Sequence, residues 1–457
     1  MLSKSKNIHF IGIGGIGMSG IAQLLLTMGF NITGSDILES ESIVTLRKLG
    51  IKISVGHKSN NIKSPDLIVY SSAINIDNVE IIEGRNKFIP IIRRAEMLGE
   101  LLKLKKISIA VSGTHGKTTT SSMLGAILIE ARLNPTLVIG GIVNSFGSNA
   151  VSGMGDIIVV EADEFDRSFL SLNPSMNIIN NLELDHIDCY KDINETKDAF
   201  ISFANMLPIY GLSALNIDDK NIQEIINKIK RPYKTFGLNE NADICAKNIV
   251  YNKFNSIYQL HINQKKSKKI ELNVPGKHNI QNSLAAIVIA LELNIDINII
   301  KIGLLKYNGV KRRLEITQKT KEGSILIDDY AHHPTEVEAS LLAIKNSYKN
   351  RIITIFQPHL FSRTLNFYKE FAESLSISDI VVIMDIYPAR EKPIKGVTSK
   401  LIVDCLKKKG HQNICFDIKI ENLTDEIKKM TAKGDIIITM GAGNITKQNE
   451  PLKNILL

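Results

Sequence analysis

The sequence predicts an α/β protein of three domains, each a mostly parallel sheet covered by helices. Two observations carry that prediction. Short apolar runs alternate with amphipathic stretches from one end to the other, the pattern of strand–helix units. Three times, moreover, the chain restarts with a strand-like run followed by a loop rich in glycine or charged residues. At 457 residues it is too long for one core, and the size of ordinary domains gives roughly three units of 100–200 residues. The breaks in pattern put them at 1–103, 104–312 and 313–457.

The first restart is a buried-strand run over 8–13 that leads into Gly12-Ile13-Gly14-Gly15-Ile16-Gly17 and then a helical segment to Gly29. Glycines let the backbone approach a pyrophosphate, and the helix N-terminus supplies unpaired N–H groups and a partial positive charge. Asp36, 19 residues after Gly17, stands where dinucleotide enzymes carry their ribose-binding acid. Taken alone, the loop fits an NAD-dependent oxidoreductase, a UDP-sugar enzyme whose ligand carries the same pyrophosphate, or a tight turn with no ligand.

The second restart narrows the choice. After the strand run 107–111 come Ser112, Gly113-Thr114-His115-Gly116-Lys117-Thr118-Thr119-Thr120 and a helix through Glu130. This is a phosphate-binding loop: backbone N–H groups wrap phosphates, Lys117 supplies a point charge, and the Thr118 hydroxyl can ligate Mg²⁺. It departs from the full G-x-x-x-x-G-K-[ST] form, because Val111 stands where that motif has its first glycine. A nicotinamide enzyme has no use for a second phosphate loop.

The strand run 156–160 ends at Glu161-Ala162-Asp163-Glu164. A carboxylate at the C-terminal end of a parallel strand beside such a loop is placed to hold the metal, and Glu161 is the candidate. Asp163 and Glu164 read equally well as a solvated turn. His186, past the next strand end and between Asp185 and Asp188, is a second metal-ligand candidate. Mg²⁺ prefers oxygen, so a histidine ligand implies a second, less demanding site that Mn²⁺ could share.

Composition bounds the rest. Lys+Arg 56 against Asp+Glu 47 leaves a net charge of +9. The lysines are scattered, however, and the densest run, Lys265-Lys266-Ser267-Lys268-Lys269, reads as an exposed hairpin, so nucleic acid is not expected. Four separated cysteines form no C-x-x-C pair, so neither a zinc nor a disulfide framework is indicated. There is no signal core and no run of about 18 apolar residues. A reduced, cytoplasmic enzyme is expected, of unstated oligomeric state.

Together, the loop 113–120, the acids 161–164 and Asp185-His186-Ile187-Asp188 resemble the Mur ligases of peptidoglycan synthesis. Further likenesses cover nearly the full length: Val274-Pro275-Gly276-Lys277-His278-Asn279 with Asn282, Lys311-Arg312-Arg313-Leu314-Glu315, Asp328-Asp329-Tyr330-Ala331-His332-His333-Pro334, Gln357-Pro358-His359, Tyr387-Pro388-Ala389-Arg390-Glu391 and Gly441-Ala442-Gly443-Asn444. The double histidine and the opening glycine loop resemble the alanine-adding branch, with the branch that recycles murein tripeptide next nearest.

The resemblance implies a Rossmann-like N-terminal domain for a UDP-sugar, a central P-loop ATPase-like domain, and a Rossmann-like C-terminal domain for the amino acid. It implies ATP and Mg²⁺ as cofactors, and UDP-N-acetylmuramate and L-alanine as substrates. On it, Lys117, Glu161, His186 and Arg313 are catalytic, and Gly113, Thr114, Gly116, Lys117, Thr118 and Thr119 hold the nucleotide phosphates. Asn282 is implied at the adenine, Arg313 at the γ-phosphate and Asp329 at the ribose. Thr118, Glu161 and His186 would hold metal, Gly14 and Gly15 would face the UDP pyrophosphate, and His333 and Arg363 the amino acid. Phe165 and Leu360 depart from the family pattern, and no lysine matches the carbamylated one of sister ligases.

Overall fold

The computed structural model describes residues 5–144, 147–185, 189–389 and 391–455. The first domain interleaves β1 (Asn7–Ile11), α1 (Ile16–Thr27), β2 (Asn31–Asp36), α2 (Glu41–Lys48), β3 (Lys52–Val55), β4 (Leu67–Tyr70), α3 (Val79–Asn86), β5 (Ile91–Arg93) and α4 (Arg94–Leu102). The five strands are parallel in the order β3-β2-β1-β4-β5. The order reverses at β1 and β4, and such a switch point opens a crevice at the carboxyl ends of the strands. β1 stops at Ile11, two residues short of the expected run, because Gly12 turns at φ 79. Asn78 starts α3 by accepting the Glu80 N–H at 2.9 Å, which satisfies one free donor of the first turn.

The central domain follows after 103–106. Its elements are β6 (Ile107–Ser112), α5 (Lys117–Glu130), β7 (Thr136–Val143), β8 (Ser148–Val151), β9 (Ile157–Glu161), β10 (Met176–Ile179), α6 (Ile193–Asn205), β11 (Leu212–Asn216), α7 (Lys220–Ile225), β12 (Tyr233–Gly237), β13 (Ile244–Asn252), β14 (Asn255–Ile262), β15 (Lys265–Leu272), α8 (Lys277–Glu292) and α9 (Ile297–Lys306). The ten strands run in the order β15-β14-β13-β12-β11-β10-β6-β9-β7-β8. β6 lies parallel between β10 and β9, and its interior residues are wholly buried, which is why the run reads as continuously apolar. The lysine-rich run expected at a hairpin lies within β15 itself, at the sheet edge. The turn before it is Asn263-Gln264, both at positive φ.

The third sheet holds β16 (Glu315–Lys319), β17 (Ile325–Asp329), β18 (Ile352–Phe356), β19 (Ile380–Ile383), β20 (Ile414–Phe416) and β21 (Ile436–Met440) in the order β16-β17-β21-β18-β19-β20. Only β16 is antiparallel among its pairings. The helices are α10 (Pro334–Ser347), α11 (Phe361–Leu375), α12 (Lys400–Lys408), α13 (Leu423–Met430) and α14 (Asn449–Ile455). β17, β18 and β21 are buried along their whole length.

By compactness the chain forms two units. One holds 1–247, 259–270 and 281–307, with the first two domains together; the other holds 248–258, 271–280 and 308–457. Among the described residues no helix is long and apolar enough to cross a membrane.

Candidate active site

In the first domain, the loop after β1 is tied to the end of β2. The Gly12 and Ile13 N–H groups donate to the Ser35 carbonyl at 2.8 and 3.0 Å. The Gly14 N–H donates to Asp36 Oδ2 at 2.8 Å, and a Cβ on Gly14 would lie 2.9 Å from that same oxygen. A side chain at this position would have to displace Asp36, so the glycine serves a contact made to the protein itself. Asp36 therefore staples the loop, where a dinucleotide enzyme would offer its acid to a ribose. Gly15, in contrast, is exposed at the N-cap of α1, where a Cβ would make only ordinary contacts, 3.7 Å from the Gly12 carbonyl oxygen and 4.0 Å from Met18 Cγ.

The phosphate loop bridges β6 and α5. Gly113 sits at φ 132 and Gly116 at φ 79, a left-handed N-cap. A Cβ on Gly116 would lie 2.5 Å from Asn282 Oδ1, so the loop is pressed against α8. The Thr120 hydroxyl donates to Asn282 Oδ1 at 3.2 Å and receives Asn180 Nδ2 at 3.0 Å. The structure thus brings Asn282 to the back of the loop.

The end of β10 clamps the front. The His115 N–H donates to Asn181 Oδ1 at 2.8 Å, Asn181 Nδ2 returns to the His115 carbonyl at 3.1 Å, and the Glu183 N–H donates to Thr114 Oγ1 at 2.9 Å. Asn180 and Asn181 are site residues that sequence reasoning passed over. Their signal was two amides at a strand end in the phosphate-loop domain. Thr118 and Thr119 are buried in the first turn of α5, where free N–H groups and the helix dipole favour an anion.

Lys117 is mostly buried, and its Nζ donates to the Gly113 carbonyl at 2.8 Å, the Thr114 carbonyl at 3.3 Å and Glu164 Oε2 at 2.7 Å. Burial alone would discharge the ammonium. The carboxylates of Glu164, Asp163 and Glu161 outweigh it and hold the group well above the usual lysine range. Glu161 closes β9 in register with Val111, and its Oε1 accepts the Gly140 N–H at 2.6 Å.

The acids 161–164 divide by role. Asp163 does read as a turn, with Oδ1 accepting the Phe165 N–H at 3.2 Å. Glu164 does not: it is buried and paired with Lys117. For a divalent cation the fit rests on Glu161 and Thr118, hard oxygen donors on adjoining elements, which suit Mg²⁺. His186 lies outside the described residues.

In the second unit, candidates gather at the carboxyl edge of the third sheet. Asp329 ends β17, where Oδ2 accepts the Leu314 N–H at 2.8 Å and the Ser340 hydroxyl at 3.2 Å, and Oδ1 accepts the Ala331 N–H at 2.7 Å. Burial pushes its carboxyl up to about 6, against the pull of Arg313. Arg313 lies 3.5 Å from Glu336 and over the Tyr330 ring at 5.0 Å. Burial, then Arg313, brings His278 down to about 4.

His333 caps α10, and its ring meets Phe367 edge-on at 5.1 Å. His332 Nδ1 lies 3.2 Å from Glu336 Oε2, and its ring is 5.8 Å from that of His359, which stacks on Tyr387 at 5.9 Å. Arg363, buried on α11, donates to His359 Nδ1 at 3.4 Å. Leu360, one of the two departures from the family pattern, holds φ 69 between His359 and α11.

Comparison with known proteins matches this layout along the chain. Residues 7–106 fit the Mur ligase family catalytic domain, 111–290 the Mur ligase middle domain and 312–443 the Mur ligase glutamate ligase domain. The UDP-N-acetylmuramate–L-alanine ligase of Geotalea daltonii is 42% identical over 99% of this chain and 98% of its own length. That of Desulfatibacillum aliphaticivorans is 45% identical over 98% of each. The crystal structure of the Thermotoga maritima UDP-N-acetylmuramate–alanine ligase superposes with a TM-score of 0.84 at 31% identity, over 98% of each chain. A murein peptide ligase of Psychrobacter arcticus shares the fold, with a TM-score of 0.70 at 23% identity over 98% of each chain. With three sheets whose residues match the three Mur ligase domain models in order, and relatives of this likeness from end to end, the chain belongs to the Mur ligase family.

Proposed function

We propose that the protein uses ATP to join L-alanine to the lactyl carboxylate of UDP-N-acetylmuramate, through an acyl phosphate, as a cytoplasmic step of peptidoglycan precursor synthesis. The observation that carries this reading is Glu161 in register with Val111, at the root of a loop whose lysine is mostly buried and paired with Glu164. That arrangement handles a nucleotide triphosphate, and the glycine loop of the first domain handles a pyrophosphate. The full-length relatives named for this reaction supply the substrates.

Amide formation from a carboxylate is uphill in water, so the carboxylate must be activated. Its oxygen attacks the γ-phosphoryl in line, ADP leaves, and the alanine amine then displaces phosphate from the acyl carbon. The chain contributes position and charge. Gly113, Gly116, Thr118 and Thr119 direct N–H groups at the phosphates, and Thr114 keeps its implied place in the loop although its N–H donates to the Asn181 carbonyl at 3.4 Å. Lys117 balances the charge that grows on oxygens in transfer, and Arg313 keeps its implied place at the γ-phosphate.

Glu161 and Thr118, with His186, would hold Mg²⁺, Mn²⁺ being admissible beside the histidine. The ion supplies Lewis-acid neutralisation of phosphate oxygens. Gly14 and Gly15 are proposed at the UDP pyrophosphate, Asn282 at the adenine, Asp329 at the ribose, and His333 and Arg363 at the alanine. The amine must lose a proton before it attacks, and His332 or His333 is the proposed acceptor. Unchanged pH–rate profiles in both His332→Ala and His333→Ala would remove that role.

The test is phosphate release by the purified protein with ATP, Mg²⁺ and UDP-N-acetylmuramate, with and without L-alanine. Release that requires all three substrates, with a UDP-muramoyl-alanine product by mass, is expected. Release with murein tripeptide in place of alanine would move the activity to the recycling branch.

A further inference from the structure

Glu164 lies three residues beyond the candidate metal carboxylate and is 2% exposed. A carboxylate that deep is expensive to bury unless a cation answers it, and the cation here is the phosphate-loop lysine. An ammonium has three N–H donors. Those of Lys117 are directed at the Gly113 carbonyl, the Thr114 carbonyl and Glu164 Oε2, all oxygens of the chain itself. In this arrangement the lysine offers no donor to a phosphate until one of those partners gives way. Two are backbone carbonyls of the loop and are fixed by its fold. The third is a side chain, and it carries the same charge as the ligand.

The segment bearing Glu164 is held from several directions. The Tyr190 hydroxyl donates to the Glu164 carbonyl at 2.7 Å. Asp166 and Arg167 follow as consecutive non-glycine residues at φ 55 and 54, a conformation that persists only where surrounding contacts impose it. Those contacts are visible: Arg93 pairs with Asp166 at 3.2 Å, and Arg167 pairs with Glu195. Phe169 then anchors the segment, stacked on Phe203 at 4.8 Å and edge-on to Phe200 at 5.2 Å. A frame of this kind gives the Glu164 side chain a fixed root, so that its exchange with a phosphate is a local event.

We infer that Glu164 stands in for phosphate: it orients Lys117 before nucleotide enters, and yields the ammonium to the phosphates of an entering nucleotide. This rests on the reading of the loop as an ATP site. Glu164 is thereby a positioning residue that acts through Lys117. Its carboxylate stabilises the empty protein and competes with the nucleotide for the same cation, so it sets how tightly nucleotide binds.

The experiment is calorimetric titration of ADP, with and without Mg²⁺, into wild type, Glu164→Gln and Glu164→Asp. Glu164→Gln removes the competing charge and should tighten ADP binding about fivefold or more, while it lowers the melting temperature of the empty protein. Glu164→Asp draws the carboxylate back by one methylene and should shift affinity in the same sense by less, which preserves the test if the glutamine variant folds poorly.

With Lys117→Met, a double-mutant cycle on melting should show coupling between the two positions in the empty protein. In turnover, KM for ATP should fall relative to KM for the UDP-sugar. Folded variants that bind ADP as wild type does, or more weakly, would overturn the inference alone. A wild type that binds no adenine nucleotide would overturn the ATP-site reading and the inference with it.

Discussion

Val111 and Glu161 are register partners on adjacent parallel strands, so the phosphate loop and the strand-end carboxylate leave the same edge of the central sheet side by side. Nothing in their spacing along the chain, 50 residues, announces this. It follows from β9 adding next to β6.

Replacing Glu161 by Gln keeps an oxygen for the Gly140 N–H while it removes the charge and turns one acceptor oxygen into an amide donor. ATP-dependent turnover should fall by about 10–100-fold or more, and the Mg²⁺ concentration for half-maximal rate should rise. An unchanged Mg²⁺ requirement would take Glu161 out of the metal site.

Lys117→Ala should cost at least about 10²-fold in turnover, by analogy with the loss of one electrostatic donor in a dry site. It also leaves Glu164 buried without its cation, so the variant should melt below wild type. Full activity would mean that the loop does not serve a nucleotide.

Gly116→Ala brings two penalties. At φ 79 an L-residue is strained by about 1–2 kcal/mol, and its Cβ would lie 2.5 Å from Asn282 Oδ1. A lower melting temperature and weaker ADP binding are expected together. Gly15→Ala, whose Cβ would come no nearer than 3.7 Å to a neighbour, should leave the melting temperature near wild type, and equal losses in both variants would contradict this account.

Acid stability should depend on Glu80. This fully buried carboxylate accepts from Ser35 Oγ at 2.6 Å, Asn61 Nδ2 at 2.5 Å and the Lys58 N–H at 3.2 Å, and lies 3.3 Å from His9 Nε2. Burial opposes its charge, but the bonds from His9, Ser35 and Asn61 outweigh that and bring its pKa from 4.5 down to about 2. Its contribution, on the order of 3 kcal/mol, is complete above pH 4.5 and is lost as pH falls through about 2. Urea midpoints of Glu80→Gln should be lower than wild type at pH 7 and should change less between pH 5 and 2. Parallel acid limbs would assign the loss to other carboxylates.

What the sequence displayed was local. The three strand-and-loop restarts, the glycine loop and Lys117 with its threonines are set by contiguous residues, and the fold places them where their pattern says. Long-range pairing was hidden. Glu80 reads as an ordinary first-turn acid of a short helix, and its donors come from β1, β2 and the stretch after β3. Glu164 reads equally well as part of a solvated turn because its partner Lys117 lies 47 residues back. Asp36 carried a pattern familiar from dinucleotide enzymes, yet its oxygen belongs to Gly14. A motif names a backbone shape, and which group answers a side chain depends on strand order.

The lysines of β15 bear on how the molecule behaves among its own copies. This strand ends a ten-stranded sheet, and Lys265, Lys266, Lys268 and Lys269 are exposed along it. An unpaired strand edge is a template on which another chain can add a strand, and a row of ammonium groups repels an incoming copy bearing the same row. The surplus of positive charge is therefore, in part, insurance against sheet-to-sheet growth. Polyanions or lysine acetylation that mask these four residues would expose the largest sheet of the protein to aggregation while leaving its substrate loops untouched.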